Sequence, residues 1–451
     1  MPPRRSARVA AAEERTSSVL PPLPPALVRA IFALLPPDAR GRATCVNRAW
    51  RAVLDAPDLW TTLDLRPFAA LNPTIYVALL YGAAAKARGR LVSLDVRGIW
   101  FALLPWLRSV VAANGSSLHE LWVCPLDEHC LDSADVAALL RSAPALRALH
   151  ADVHAAATAV AAVLSEPRLR LRELCVNFRS VQDVLPPLAA LAPLLRRCTA
   201  LKRLRLDGLR SDDAAPLREL FDAAAAARTP VLQLAFCSLP SDALAAPLRG
   251  GALARLYVSA NVNPLLRDAL AAAPLCDALR GCATLTRLCL CAVRHRCFDN
   301  VDAGVALLAA VTGHVSIRRL NLSQNTVIVG ADGVAVGAAL AAPLAANALS
   351  LTDLDLAGTV TSERTAAPLL RALRANTHLR GLKLYENDFG AAFCGGELLD
   401  ALRENASPEC LRLDDSAAEQ RAAEGFVKRR AARRRRGDEA PFQENETDDE
   451  W

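Results

Sequence analysis

The densest set of soft donor atoms in this sequence is Cys276, Cys282, Cys289, Cys291, His295 and Cys297. Thiolate and imidazole together suit zinc, but the set lacks the paired Cys-x-x-Cys spacing from which a tetrahedral site is built. Cys289 also alternates with Leu288 and Leu290, as a strand residue would. His150 and His154 stand four apart but follow the start of a strand, not a helix face, and read as surface side chains. The sequence has no phosphate-cradling glycine loop ending in Lys-Ser/Thr, no nucleophile elbow and no His-Glu-x-x-His. Cys394-Gly395-Gly396 falls where glycine simply permits a bend. With acid, base and nucleophile never assembled, the expectation is a chain that is not an enzyme and takes neither cofactor nor metal. What remains is recognition chemistry. Its best carriers are Arg203, Arg205, Arg255, Arg287 and Arg319, whose guanidinium forks pair with carboxylate or phosphate, and the rings of Trp122, Tyr257 and Tyr385.

Those residues recur inside a pattern, Leu-x-x-Leu-x-Leu. It runs as Leu91–Val96, Leu118–Val123, Leu171–Val176, Leu201–Leu206, Leu253–Val258, Leu285–Leu290, Ile317–Leu322, Leu351–Leu356 and Leu379–Leu384. Weaker copies start at Leu146 and Val231, and a degenerate one ends at Leu411 and Leu413. Trp60-x-x-Leu63-x-Leu65 reads as a first copy. Copies start 22 to 34 residues apart. Alanine- and leucine-rich stretches such as Ala134–Ser142, Ala214–Ala227 and Ala366–Asn376 lie between them and predict helices. A unit of one short strand and one helix cannot bury its leucines alone. Three aliphatics per unit, at about 1.5–3 kcal/mol each, offset the ordering cost only when neighbours stack.

Residues 23–60 form a different unit. Leu27, Val28, Ile31, Phe32 and Leu35 recur at helical spacing, Pro36-Pro37 ends that helix, and Asp38 is placed to cap the next. Val46, Trp50, Val53 and Leu54 make a second stripe. About forty residues bury too little surface to be stable alone, so the unit reads as a docking module. In Leu23-Pro24, Ile31-Phe32, Leu35-x-Pro37, Val46-x-x-x-Trp50 and Leu59-Trp60 it resembles an F-box. Two departures are visible. Pro25-Ala26 replace the usual acidic pair, and Ala39-Arg40-Gly41 replace a more apolar run, which is expected to loosen the middle helix. The resemblance implies docking to the small Skp adaptor of a cullin-RING ubiquitin ligase, with Leu23, Pro24, Ile31, Leu35, Val46 and Trp50 forming or supporting that surface.

The following units resemble leucine-rich repeats, the longer ones of the ribonuclease-inhibitor type. That resemblance implies that the residues between motif leucines line a concave face, on which Trp122 and Tyr257 would be exposed anchors. Early units present acid there (Asp95, Glu120, Glu173), and middle units present the five arginines. It also implies that Asn261, Asn325 and Asn387, with Thr359 in the same place, turn the chain and hydrogen-bond backbone across units.

Composition sets the remaining bounds. Of 451 residues 53% are hydrophobic but only 5% aromatic, which suits thin stacked layers built from alanine and leucine. The formal charge of +6 is small for this length and does not argue for nucleic acid. Thirteen cysteines without a paired framework fit a reducing compartment. The start lacks an apolar signal core, and Gly333–Thr352 is too rich in alanine and glycine for a membrane span. Residues 428–436 hold seven basic side chains in nine, a candidate nuclear-import signal, and the last fourteen residues carry seven acids.

The expected organisation is α/β: a disordered start (1–20), a short three-helix F-box (21–65), a curved solenoid of about a dozen strand–helix units (66–413) and a charged, mostly disordered tail (414–451) with a helical lead-in over Ala417–Arg436. The expected role is the substrate receptor of a Skp–cullin–F-box ligase, in cytoplasm or nucleus, with an acidic or phosphorylated protein as substrate. The alternative is a repeat scaffold with no part in ubiquitylation, in which residues 23–60 serve as an end cap.

Overall fold

The computed structural model describes residues 25–69, 71–124, 133–153, 170–178, 188–209, 214–237, 239, 241–259, 269–291, 301–312, 314–325, 331–347, 350–360, 363–387, 389–390, 393–405, 407–413 and 418–435. The chain divides into two compact units, residues 1–127 with 142–146, and residues 128–141 with 147–451.

The first unit opens with three short helices, α1 (Pro25–Ala33), α2 (Pro37–Ala43) and α3 (Arg48–Leu54), then a helical turn over Pro57–Trp60. Prolines end α1 and start α2, whose cap position is Pro36, so Asp38 lies inside the helix instead of capping it. Asn47 caps α3 by accepting from Trp50 N at 2.8 Å. Strand β1 (Thr62–Asp64) follows with no linker, and pairs in parallel with β2 (Ser93–Asp95), which pairs with β3 (Glu120–Val123). Helices α4 (Pro73–Ala87) and α5 (Leu104–Asn114) are the connections. Trp60, Leu63 and Leu65 are buried in register with Leu91, Leu94 and Val96, so the last F-box-like residues are also the first repeat unit. Helix α6 (Ser133–Ser142) belongs, but for its last residue, to the second unit.

The second unit carries ten parallel strands in chain order, β4 (Ala148–Val153), β5 (Glu173–Phe178), β6 (Arg203–Asp207), β7 (Val231–Ala235), β8 (Arg255–Ser259), β9 (Arg287–Cys291), β10 (Arg319–Asn321), β11 (Asp353–Asp355), β12 (Gly381–Lys383) and β13 (Cys410–Arg412). Between β5 and β12 the connections are α7 (Leu188–Arg197), α8 (Ala214–Ala226), α9 (Ser241–Arg249), α10 (Ala269–Gly281), α11 (Val301–Thr312), α12 (Ala331–Ala345) and α13 (Glu363–Ala375). A π-helical turn at Cys394–Leu398 runs into α14 (Leu399–Glu404), and α15 (Ala418–Arg435) follows β13. Each strand pairs only with its sequence neighbours, which is the strand–helix solenoid that the motif period predicts. The motif leucines form the core: Leu285, Leu288 and Leu290 are buried, and so are Leu351, Leu354 and Leu356.

Register corrects one assignment. Val231 lies opposite Arg203, the third position of its motif, so that copy begins at Thr229, not Val231. Helices α12 and α13 approach closely at Gly337, where a Cβ would meet the Thr365 carbonyl oxygen at 2.3 Å. No helix among the described residues is long and apolar enough to cross a membrane.

Candidate adaptor-docking and partner-binding surfaces

Helices α1 and α3 bury some apolar side chains and leave others bare. Leu54 and Phe32 are buried, and Phe32 meets the Trp50 ring edge-on at 5.1 Å. The same module exposes Leu34 (86%), Val46 (59%), Leu27 (48%), Ile31 (43%) and Trp50 (39%). Single exposed apolar residues are ordinary, but five within twenty-four positions of a three-helix module are more than a surface needs. Ile31, Val46 and Trp50 thus sit where a partner can reach them, and Leu35 is half-buried beside them. Leu23 and Pro24 lie outside the described residues. Sequence reasoning missed Leu34, the most exposed of the set, because the stripe at helical spacing skipped it.

Arg40 was counted as a defect in the pattern and is the reverse. Its guanidinium donates to Phe32 O at 3.0 Å, Ala33 O at 2.8 Å and Leu59 O, satisfying the carbonyls that end α1 and the turn before β1. Burial holds its pKa below the usual arginine value. The run that was expected to loosen the middle helix therefore ties three segments together.

On the strands, alternation puts the third, fifth and seventh motif positions on one face. In the first unit, Asp95 takes the Arg97 guanidinium at 3.1, 3.2 and 2.8 Å and Arg66 Nε at 3.3 Å. Arg97 in turn lies 4.3 Å from the Trp122 ring centroid, so Trp122 is a half-buried ring stacked under a cation. The Asp95 pairing raises the Arg97 pKa, and the Arg66 guanidinium lowers that of Asp64.

In the second unit, register separates the five arginines into two rows. Arg203, Arg255, Arg287 and Arg319 share the third position, interrupted by Val231, whereas Arg205 shares the fifth with Tyr257 and Cys289. Several have internal partners. Arg203 lies 3.6 Å from Glu173, Arg205 2.7 Å from Asp207, and Arg319 3.6 Å from Asp353. Arg255, Arg287 and Arg319 stand on consecutive strands, about 4.8 Å apart by sheet spacing, which makes them the compact cationic part of the face. Tyr257 is a correction. It was expected exposed, but it is 8% exposed between Gln233 and Cys289 in register, because neighbouring strands crowd that row. Tyr385 is half-buried, its pKa raised by burial and then by the Asp355 carboxylate. Asp207 is buried too, and burial raises its pKa against the pull of Arg205.

The described members of the soft-donor set do not gather into one group. Cys276 and Cys282 are buried at α10, Cys289 and Cys291 lie on β9, and His295 and Cys297 lie outside the described residues, as does His154. His150 is buried, not at the surface as expected. No group of three or more potential metal ligands gathers among the described residues.

The predicted polar ladder is present where it is described. Asn325 donates to Leu290 O at 2.5 Å, Thr359 Oγ1 to Leu322 O at 2.6 Å and Asn387 to Leu356 O at 3.0 Å, each reaching the sixth motif position of the preceding unit. Asn261 lies outside the described residues. Cys237 Sγ donates to the matching carbonyl, Leu206 O, at 3.3 Å, a member that the misplaced register had hidden. A second ladder was missed. Ser117, Thr284 and Ser316, each just before a motif leucine or isoleucine, donate to Leu91 O, Leu253 O and Leu285 O at 2.9, 2.9 and 2.8 Å. A hydroxyl at that position was the available signal.

An F-box-like family model matches residues 20–66. No curated protein matches the chain. Among solved structures, TLR13 in its complex with ssRNA13 is 18% identical with a TM-score of 0.44, covering 72% of this chain and 39% of that one. The tropomodulin C-terminal domain of Caenorhabditis elegans is 16% identical with a TM-score of 0.31, covering 38% and 96%. Leiomodin-1 actin-binding site 2 is 19% identical with a TM-score of 0.26, covering 31% and 77%. These likenesses are weak, and the architecture rests on the strands and helices described above.

Proposed function

We propose that this chain is the substrate-recognition subunit of a Skp–cullin–F-box ubiquitin ligase, with leucine-rich repeats as its substrate-binding part. One observation carries the reading: the segment with the F-box-like match keeps Leu27, Ile31, Leu34, Val46 and Trp50 uncovered. The adaptor would cover them. The strand face would hold the substrate, raising the effective concentration of its lysines near a conjugating enzyme recruited elsewhere. Catalysis would lie outside this chain. Arg255, Arg287 and Arg319 favour an acidic or phosphorylated segment.

The in-register fusion of Trp60, Leu63 and Leu65 favours a second reading, in which residues 23–60 only cap the first strand of a repeat scaffold. Co-expression with the Skp adaptor separates the two. Wild type should co-purify, and a variant carrying Ile31→Asp and Val46→Asp should fold but lose the adaptor. A folded wild type that never binds the adaptor rejects the ligase reading and leaves the scaffold. For the substrate, charge reversal at Arg203, Arg255 and Arg319 together should abolish capture of an acidic peptide, and unchanged capture rejects the cationic face as its site.

A further inference from the structure

Cys289 and Cys291 occupy alternate positions of β9 and therefore point to the same side of the sheet. Cys289 is 2% exposed, flanked in register by Tyr257 and Asn321, and Cys291 is half-buried beside Ser259. Both thiols are free, and each shifts the ionisation of the other. They lie on the strand face of Arg287, outside the polar ladders and apart from the arginines proposed to hold the substrate. Two thiols at alternate positions of one strand face, one half-exposed and the other sealed, are the arrangement of a reactive cysteine with its resolving partner.

We propose that Cys289 and Cys291 form an oxidant-reactive dithiol that closes to an intrastrand disulfide on reaction with hydrogen peroxide. Cys291 is the attacking group. The Cys289 thiol donates to it and holds its pKa below the usual thiol value, while the same contact, with burial, pushes Cys289 up. Burial and the nearby Asp355 carboxylate oppose ionisation of both thiols, and at Cys291 the contact with Cys289 outweighs them.

The thiolate of Cys291 attacks one peroxide oxygen and the O–O bond breaks. The departing hydroxide takes up a proton to become water, and Cys291 is left as the sulfenic acid. The Cys289 sulfur then displaces the sulfenic hydroxyl, forming the S–S bond and releasing a second water. Two thiols lose two electrons and two protons, and one peroxide is reduced to two waters. Alternate Cα atoms on a strand lie about 6.6 Å apart, near the upper limit that a disulfide spans, so the bridge is strained and readily reduced. Strained bridges of this kind are the labile ones, which makes the modification reversible.

Trypsin isolates both cysteines in one peptide, Leu288–Arg294, apart from Cys297. The purified full chain would be pulsed with hydrogen peroxide, its free thiols alkylated, and the digest weighed. The expected result is a Leu288–Arg294 peptide two hydrogens lighter and unalkylated, restored to the doubly alkylated form by dithiothreitol. It should appear before oxidation of the exposed Cys45. Cys289→Ser should stall the reaction at a sulfenic acid on Cys291 that dimedone traps, and Cys291→Ser should leave Cys289 reduced. A peptide that stays doubly alkylated while Cys45 oxidises overturns the proposal, as does a bridge from Cys291 to Cys297. The wild-type readout decides it even if a serine variant fails to fold.

Discussion

Replacing Asn387 by alanine tests whether the polar ladder holds the repeat together or merely decorates it. The buried Asn387 amide donates to Leu356 O at 3.0 Å and Leu384 O at 2.7 Å, and accepts from Thr359 N at 3.0 Å and Val360 N at 2.8 Å. Thr359 N keeps a contact to Leu356 O at 3.2 Å, but Val360 N loses its partner. An orphaned buried N–H costs about 1–3 kcal/mol, and the other three bonds contribute about 0.5–1.5 kcal/mol each. The sum runs from about 2.5 to 7.5 kcal/mol, and its lower end already means close to a hundredfold in the local opening equilibrium. Because each unit touches only its neighbours, the loss should stay between β11 and β13 and leave α1–α3 untouched. Amide hydrogen exchange read by mass spectrometry should therefore accelerate by about a hundredfold or more in peptides covering 351–390 and not in 25–65. Thr377→Ala, which removes an exposed bond to Asn347, is the control and should move exchange less than threefold, equivalent to about 0.5 kcal/mol. An N387A protein whose exchange matches that control refutes the ladder as a source of stability.

Other consequences are as direct. Arg40→Ala should destabilise the N-terminal module by about 2–4 kcal/mol, since three charge-assisted bonds to Phe32, Ala33 and Leu59 carbonyls vanish; limited proteolysis within residues 25–60 would show it, and unchanged cleavage would not fit. His314 Nδ1 accepts from Ser316 N and Ile317 N at 3.2 and 3.3 Å, as Asn376 Oδ1 does from His378 N and Leu379 N at 3.0 and 2.7 Å. Burial lowers the His314 pKa in the fold, even though the Cys282 and Leu279 carbonyls favour its proton. The neutral ring's contribution is thus complete above the unfolded value of about 6.5 and lost as pH falls through and below it. His314→Asn should keep the acceptor and flatten the melting temperature between pH 7.5 and 5.5; an equal acid decline in both proteins contradicts this. Phe236 has φ +54° at the turn position where Gly208 and Gly358 serve other units, and its ring is 56% exposed. Phe236→Gly should stabilise by about 0.5–1 kcal/mol, the left-handed penalty less glycine's entropy, and a fall in melting temperature would reject the strain.

The repeat was legible because its signal is redundant: three buried aliphatics per strand recur, and an irregular helix between copies does not erase them. Where a copy lost its first leucine, as at Thr229, the pattern slid by two residues and hid Cys237 from its ladder position. Two-residue slips preserve strand alternation, so periodicity alone cannot detect them; only pairing with Arg203 does. The candidate surfaces were half legible. Residue type marked the arginines and rings, but exposure depends on neighbours contributed by other strands, which is why Tyr257 was misjudged and Leu34 overlooked. Arg40 was misread for a related reason. A long side chain that closes carbonyls eight and nineteen residues away leaves no periodic trace.

The C-terminal basic run shows how a charge pattern acquires a second meaning once it is placed. Helix α15 covers β13: Glu424 accepts from Leu413 N at 2.6 Å, and Ala423, Val427 and Ala431 are buried. Arg430, the third residue of the run at 428–436, donates to Leu402 O at 2.6 Å, Asn405 O at 2.7 Å and Pro408 O at 2.8 Å. Those carbonyls belong to the end of α14 and the approach to β13, so Arg430 closes the last repeat as Arg40 closes the first helices. Lys428 and Arg429 stay exposed. A receptor that reads the whole run as an extended peptide must first peel α15 away and leave three carbonyls open, at about 1.5–3 kcal/mol for each charge-assisted bond. An import receptor that needs only the exposed cations meets no such barrier. Arg430→Ala therefore separates the two: nuclear uptake that rises in the variant means the fold restrains the signal, and unchanged uptake means the exposed residues suffice.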